Sequence, residues 1–127
     1  MKIAVLIARI LLGLLFVFAG LNGFFNFVPA PPLPGGLVGE FVDALVKSHY
    51  VLAVSAFQLV GGVLLLVNRY VPLALTLLGP VIVNILLFHL LLNHTGLVTA
   101  FVVAILWCVI AYRYRENFAG LFVQKAA

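Results

Sequence analysis

Long apolar stretches occupy most of this 127-residue chain, and they constrain its fold more than any other feature. Hydrophobic residues make up 66% of the chain and charged residues only 8%, whereas a soluble domain carries about 25% charged residues. A membrane-crossing helix needs about 20 mainly apolar residues, with a range of about 17–25. Four stretches reach or approach this length, at about residues 3–27, 50–67, 71–92 and 97–112. The sequence therefore predicts an integral membrane protein.

The apolar stretches are expected to be helices, because backbone polar groups in the bilayer core must be satisfied within the spanning structure. A closed barrel would alternate apolar and polar residues, and the run Ile3–Phe18 shows no such alternation. Short turns at Asn68–Tyr70 and Asn93–Gly96 make neighbouring helices antiparallel. We therefore predict an all-α fold, in which residues 1–127 form a single transmembrane domain. Its architecture is predicted to be a four-helix bundle with up-down-up-down topology.

The segment between the first two apolar stretches has two parts. Pro29–Gly36 contains four prolines, which lack N–H donors and favour extended neighbours, so a loop is predicted there. In residues 37–49 apolar side chains recur at helical spacing and charged ones fall on the opposite face. This pattern predicts a short amphipathic helix on the outer side of the bundle. Asp43 and Lys47 have the spacing of an i,i+4 ion pair.

Positive charges are distributed unequally between the two ends of the predicted helices. One end carries Lys2, Arg69, Arg113, Arg115 and Lys125, and the other carries only Lys47. Because Lys and Arg near helix ends favour the cytoplasmic side, we expect both termini in the cytoplasm. The net charge of +4 then reflects topology and contact with anionic lipid head groups, and no nucleic-acid binding is expected.

Polar side chains within the apolar stretches are the candidate functional residues, since they are costly in hydrocarbon unless satisfied. Arg9 lies near the cytoplasmic start of the first helix, where it either reaches the interface or holds an anionic or carbonyl-bearing ligand. Asn22, Gln58, Asn84 and His89 all fall in the outer half. We expect these four to line one chamber that opens outward, and we take all five as candidate cofactor-binding residues. The alternative is that the amides only form hydrogen bonds between helices.

Several other chemistries find no support in the sequence. The histidines lack the tight His-x-x-x-His spacing of a metal site, so no metal is predicted. Cys108 is the only cysteine, which excludes a C-x-x-C pair and a stand-alone thiol oxidoreductase. No catalytic triad or Gly-rich phosphate loop is present, so no catalytic residue is assigned.

Glycine and proline within the apolar stretches predict local features of packing. Gly61 and Gly62 are expected to form a packing face, because small residues let helix backbones approach closely in lipid. Pro80 is expected to kink its helix and to leave the carbonyl of Thr76 without its helical donor.

Two segments of the chain carry a family resemblance. The first is Ala8–Gly13 followed by Phe18–Phe24, which contains an arginine, then a glycine. The second is Gln58–Leu66, with the pattern Gln-x-x-Gly-Gly-x-x-Leu-Leu, followed by Arg69 and later by His89. Together they resemble the DoxX family of small four-helix inner-membrane proteins.

The chain departs from the family pattern at two places. Gln58 stands where the family usually has glutamate, which weakens the case for a proton relay. Asn22 or Gly23 stands where it usually has lysine. The positions that the resemblance carries over are Arg9, Gln58, Arg69 and His89.

The resemblance implies a role in membrane redox chemistry, because the family takes its name from a subunit of a thiosulfate:quinone oxidoreductase. The expected function is a redox-associated subunit that binds a quinone or similar lipid in the outer half of the bundle. Two alternatives stay open: a non-catalytic scaffold or partner subunit, and a lipid-ligand or isomerase-type pocket with His89 as acid or base. Expected partners are membrane lipids and another membrane or redox protein, or a second copy. Whether the protein is an enzyme is left open.

Overall fold

The computed structural model describes residues 2–29 and 32–125, and every regular element within these ranges is helical. The α-helices are α1 (Lys2–Phe25), α2 (Gly36–Lys47), α3 (Tyr50–Val67), α4 (Val71–Leu87) and α5 (Leu97–Arg113). A π-helix over Phe88–Leu92 continues α4, and a 3-10 helix over Arg115–Phe122 follows α5. The prediction of an all-α protein is confirmed.

Three helical segments are long and apolar enough to cross a membrane: Lys2–Phe25, Tyr50–Val67 and Val71–Leu92. A fourth candidate is α5 together with the 3-10 helix, and these two elements are bent by 86° relative to each other. α5 alone has 17 residues, which is the lower end of the range for a crossing helix. The described residues therefore form a multi-pass membrane protein with three or four candidate spans.

The helix α2 follows residues 32–35, which form no helix or strand, and packs against α3; Ala30 and Pro31 of the predicted loop lie outside the described residues. Within α2, Lys47 Nζ lies 3.0 Å from Asp43 Oδ2, so the predicted ion pair forms. Both side chains are largely exposed, and a pair of this kind contributes only about 0.3–0.5 kcal/mol. The charged face of α2 is thus directed away from the packed helices.

The pair α1 and α3 makes the most extensive interhelical contact among the described elements. A β-carbon added to Gly13 would lie 2.8 Å from the Leu66 side chain, and one added to Gly20 would lie 2.8 Å from the Leu59 backbone nitrogen. Later residues of α1 thus meet earlier residues of α3, so the two helices are antiparallel. Their backbones approach as closely as small residues allow.

The two adjacent glycines of α3 serve two different neighbours. A β-carbon on Gly62 would lie 2.7 Å from the Val17 backbone nitrogen of α1, whereas one on Gly61 would lie 2.6 Å from the Leu78 side chain of α4. Both glycines are buried. The predicted packing face is therefore confirmed, and it joins α3 to both α1 and α4.

The core lies where α1, α3, α4 and α5 meet. Its fully buried large side chains are Leu12, Leu65, Leu75, Leu78 and Ile110. Trp107 of α5 packs against this core, and its indole nitrogen donates a hydrogen bond to the Leu75 carbonyl of α4 at 3.0 Å. Trp107 thus joins α5 to α4.

Candidate functional site

A cavity of about 520 Å³ lies between α2, α3, α4 and the π-helix. Its volume is within the range of about 300–1,000 Å³ that is usual for small-molecule sites. The wall is mainly apolar and aromatic, and its polar groups come from Gln58, Thr76, Asn84, His89 and the hydroxyl of Tyr50. No Asp, Glu, Lys or Arg is among the described residues that line it.

One side of the cavity is closed by the amphipathic helix α2. Phe41, Val42 and Leu45 of α2 line the cavity together with Phe57 of α3. The ring of Phe41 lies 5.7 Å, centroid to centroid, from the ring of Phe88 in the π-helix. This contact joins α2 to the end of the span that begins with α4.

The polar side chains from α4 bond to their own helix. Asn84 Nδ2 donates to the Pro80 carbonyl at 2.8 Å, and Thr76 Oγ1 donates to the Pro72 carbonyl at 2.9 Å. By contrast, Gln58 on α3 is half-buried and forms no side-chain hydrogen bond with any described residue. A primary amide has both donors and acceptors to satisfy, so Gln58 is the polar group that this cavity leaves most in need of a partner.

His89 is held by the π-helix and by the turn that precedes α5. Its Nδ1 lies 3.1 Å from the Asn93 carbonyl oxygen, and the ring meets Phe88 edge to face at 5.1 Å. A β-carbon at Gly96, whose φ is +88°, would lie 3.0 Å from the imidazole Cε1. The absence of a side chain at Gly96 thus leaves room for the ring.

Asn22 lies apart from the other three expected chamber residues. It lines a second cavity of about 360 Å³, formed by the end of α1, the end of α2 and the start of α3. Its Oδ1 accepts a hydrogen bond from the Val28 backbone nitrogen at 2.9 Å. The expectation of one chamber for all four residues is corrected: Gln58, Asn84 and His89 share a cavity, whereas Asn22 lines another and bonds to the segment that follows α1.

Arg9 lines neither cavity. Its guanidinium donates to the backbone carbonyls of Leu65 and Leu66, and the second of these distances is 3.3 Å. Carbonyls in the last turn of a helix lack intrahelical donors, and a cation there also favours the helix dipole. Arg9 therefore caps the end of α3 from a neighbouring helix, a role that neither interpretation from the sequence included.

Sequence reasoning missed the aromatic part of the site. Phe41, Phe57 and Phe88 come from three different elements, and only the structure brings them to one wall. Thr76 was singled out for its carbonyl beside Pro80, and both residues line the cavity. Within residues 2–29 and 32–125, no group of three or more His, Cys, Asp or Glu side chains is placed to hold a metal ion.

Comparison with known proteins gives one positive result. The family model of DoxX matches residues 4–90, which include Arg9 and all the polar residues of the 520 Å³ cavity. Searches of curated proteins and of solved structures find no significant match. The family match covers more than half of the chain, and the all-helical membrane fold agrees with it. The protein belongs to the DoxX family.

Proposed function

We propose that this DoxX-family protein is a redox-associated subunit of an inner membrane and that it binds a quinone or similar lipid in the 520 Å³ cavity. The observation that carries the proposal is the combination of an apolar, aromatic wall with the unpartnered amide of Gln58. A lipid tail suits such a wall, and a polar head group suits such an amide.

The position of the Gln58 amide along α3 supports this proposal. Gln58 is the ninth residue of an 18-residue apolar helix, so it lies near the middle of that segment. Hydrocarbon there offers no hydrogen-bond partner, and an unsatisfied polar group costs several kcal/mol. A quinone carbonyl would accept from the Gln58 amide and remove part of this cost. Asn84 and His89 are the further head-group contacts that we propose, and Arg9 and Asn22 are outside the site.

Lipid extraction tests this function directly. The protein is purified in mild detergent, and its bound lipids are extracted and identified by mass spectrometry. We expect a stoichiometric quinone or other isoprenoid-like lipid in the wild type and its loss in Gln58→Leu. The matched control is Gln124→Leu, which makes the same chemical change in the exposed tail and is expected to keep the lipid. An empty wild-type protein, or equal lipid in both variants, would contradict the proposal.

The proposed topology has four crossings, up-down-up-down, with both termini in the cytoplasm. Its support is the five-to-one bias of Lys and Arg between the two ends. The 86° bend after α5 also supports a crossing that ends with α5. The bend turns two exposed apolar residues, Leu121 and Phe122, away from the direction of α5. A segment of this kind, with Arg115 at its start, suits the membrane surface. Reporter fusions at the C-terminus and after Gly36 are expected to report opposite sides.

Association with another membrane or redox protein, or with a second copy, is also part of the proposal. The contact between α1 and α3 covers Gly13, Gly20 and Gly62. A partner protein would therefore have to pack against larger side chains. Cross-linking in native membranes, followed by mass spectrometry, tests this point. Recovery of the uncross-linked chain alone would contradict it.

A further inference from the structure

The hydrogen-bonding groups around the 520 Å³ cavity are unbalanced, because three of the donors already bond to backbone carbonyls and the free lone pairs outnumber the free donors. From this imbalance we infer that the cavity selects an uncharged lipid whose head group donates O–H hydrogen bonds, such as a quinol, over the carbonyl form of the same lipid. This inference rests on the proposed function and specifies the chemistry of its ligand.

Three side chains of the cavity each donate a hydrogen bond to a backbone carbonyl. Thr76 donates its hydroxyl hydrogen to Pro72, and Asn84 donates through Nδ2 to Pro80. A carbonyl oxygen only accepts, so the atom of His89 that faces the Asn93 carbonyl, Nδ1, carries a hydrogen. In the neutral imidazole the other nitrogen, Nε2, is then an acceptor. The groups that these side chains leave free are mainly hydrogen-bond acceptors: Thr76 Oγ1, Asn84 Oδ1 and His89 Nε2.

A further acceptor comes from the backbone of α4. Pro80 has no N–H, so the carbonyl of Thr76, four residues earlier, has no helical donor. Both residues line the cavity. This carbonyl therefore adds a lone-pair group without adding a donor.

The donors that remain are fewer. Gln58 offers an amide NH₂ with its own carbonyl, and Asn84 has one further N–H. The Tyr50 hydroxyl belongs to a residue that is 63% exposed, at the margin of the cavity. A ligand carbonyl would find a partner in Gln58 but would leave the α4 acceptors unsatisfied. A ligand hydroxyl donates to one of them and still accepts from Gln58.

Charge narrows the ligand class further. No Asp, Glu, Lys or Arg is among the described lining residues, so an ionised head group would enter without a counter-ion. A carboxylate or phosphate would in addition be repelled by the lone pairs of the acceptors in the cavity wall. The cavity is thus suited to a neutral head group and not to a fatty acid or a phospholipid.

Three matched ligands test the inference: decylubiquinol, decylubiquinone and the dimethyl ether of decylubiquinol, in which both hydroxyl hydrogens are replaced by methyl groups. Binding of each tritiated compound to the delipidated full-length protein is measured at equal mole fraction in the same micelles, under anaerobic conditions. With two hydrogen bonds gained, we expect the quinol to bind roughly five- to tenfold more tightly than the quinone or the ether.

Two variants connect this preference to the cavity. Asn84→Leu removes an acceptor and is expected to reduce the quinol preference about two- to threefold, whereas Gln58→Leu removes a donor that both forms use and is expected to weaken both without reducing that preference. Gln124→Leu is the control and should leave all three affinities unchanged. Equal binding of quinol and quinone, or tighter binding of the quinone, would overturn the inference while the proposed function stands. Binding of none of the three compounds would overturn both.

Discussion

The two sides of α3 are packed in different ways. On the side of α1, Gly62 meets the backbone of Val17, and Ser55 is buried opposite Gly23, so the two helices are in close contact at these positions. On the side of α4, contact is close at Gly61, but Phe57 and Gln58 face a cavity of about 520 Å³. One helix therefore carries a closed interface and an open one within 18 residues.

The difference indicates how stability and binding are divided in this fold. Lipid is as apolar as the helix surfaces, so helices associate through close packing and hydrogen bonds rather than by the exclusion of water. The glycine-lined interface of α1 and α3 supplies that packing. The side of α3 toward α2 and α4 is less tightly packed and leaves space for a ligand. Substitutions on the α1 side should therefore change stability, and substitutions on the other side should change ligand binding.

Gly62→Leu should have the largest effect, because it forces a side chain into the closed interface. A single β-carbon there would already lie 2.7 Å from a backbone atom, which cannot move as a flexible side chain does. Overpacking typically costs about 1–3 kcal/mol, and we expect the upper end of that range. Thermal unfolding in detergent measures it. Gly120→Ala is the control, since nothing lies within 4 Å of that position.

Arg9→Met should have the next largest effect, because it removes the cap on the end of α3 but keeps an apolar stem. Losing the bonds to Leu65 and Leu66 is expected to lower the free energy of unfolding by about 1–2 kcal/mol. Lipid bound in the cavity should be unchanged after purification, since Arg9 does not line it. A stable Arg9→Met protein that has lost its lipid would instead return Arg9 to the binding site.

Phe41→Ala should have the smallest effect on stability, because it removes one contact between α2 and the π-helix. The Phe41–Phe88 pair is worth about 0.5–1.5 kcal/mol, and Phe41 is already 44% exposed. We expect little change in the unfolding temperature and faster dissociation of a bound ligand, measured by exchange against excess unlabelled ligand. Leu37→Ala, on the same helix and outside the cavity wall, should leave dissociation unchanged.

The sequence was most informative about single helices. Length and apolarity locate the helices, because the bilayer sets both, and glycine at Gly61 and Gly62 predicts close packing whichever neighbour is involved. The amides and His89 were recognised as candidates because polar groups are costly in hydrocarbon. These properties depend on one helix and its solvent.

The features that the sequence did not predict depend on how helices are rotated against each other. Asn22 and Gln58 are both predicted to lie in the outer half of the bundle, yet Asn22 turns toward the end of its own helix and bonds to Val28. Arg9 donates to backbone carbonyls in the last turn of α3, a contact that the sequence did not predict. The π-helix at Phe88–Leu92, which contains His89, was not predicted, because a mainly apolar run does not distinguish π-helical from α-helical winding. Rotation and local winding follow from side-chain packing between elements, which a periodic pattern does not encode.

Photolabelling measures most directly whether the open side of α3 holds a lipid and the closed side does not. A quinone with a diazirine in its tail is irradiated with the protein in lipid nanodiscs, and labelled peptides are identified by mass spectrometry. We predict that labels concentrate around Phe57 and Phe88 and that excess unlabelled quinone removes them. Labels spread over the lipid-facing surfaces of α1 and α5, or concentrated at Asn22 and insensitive to competitor, would contradict the account.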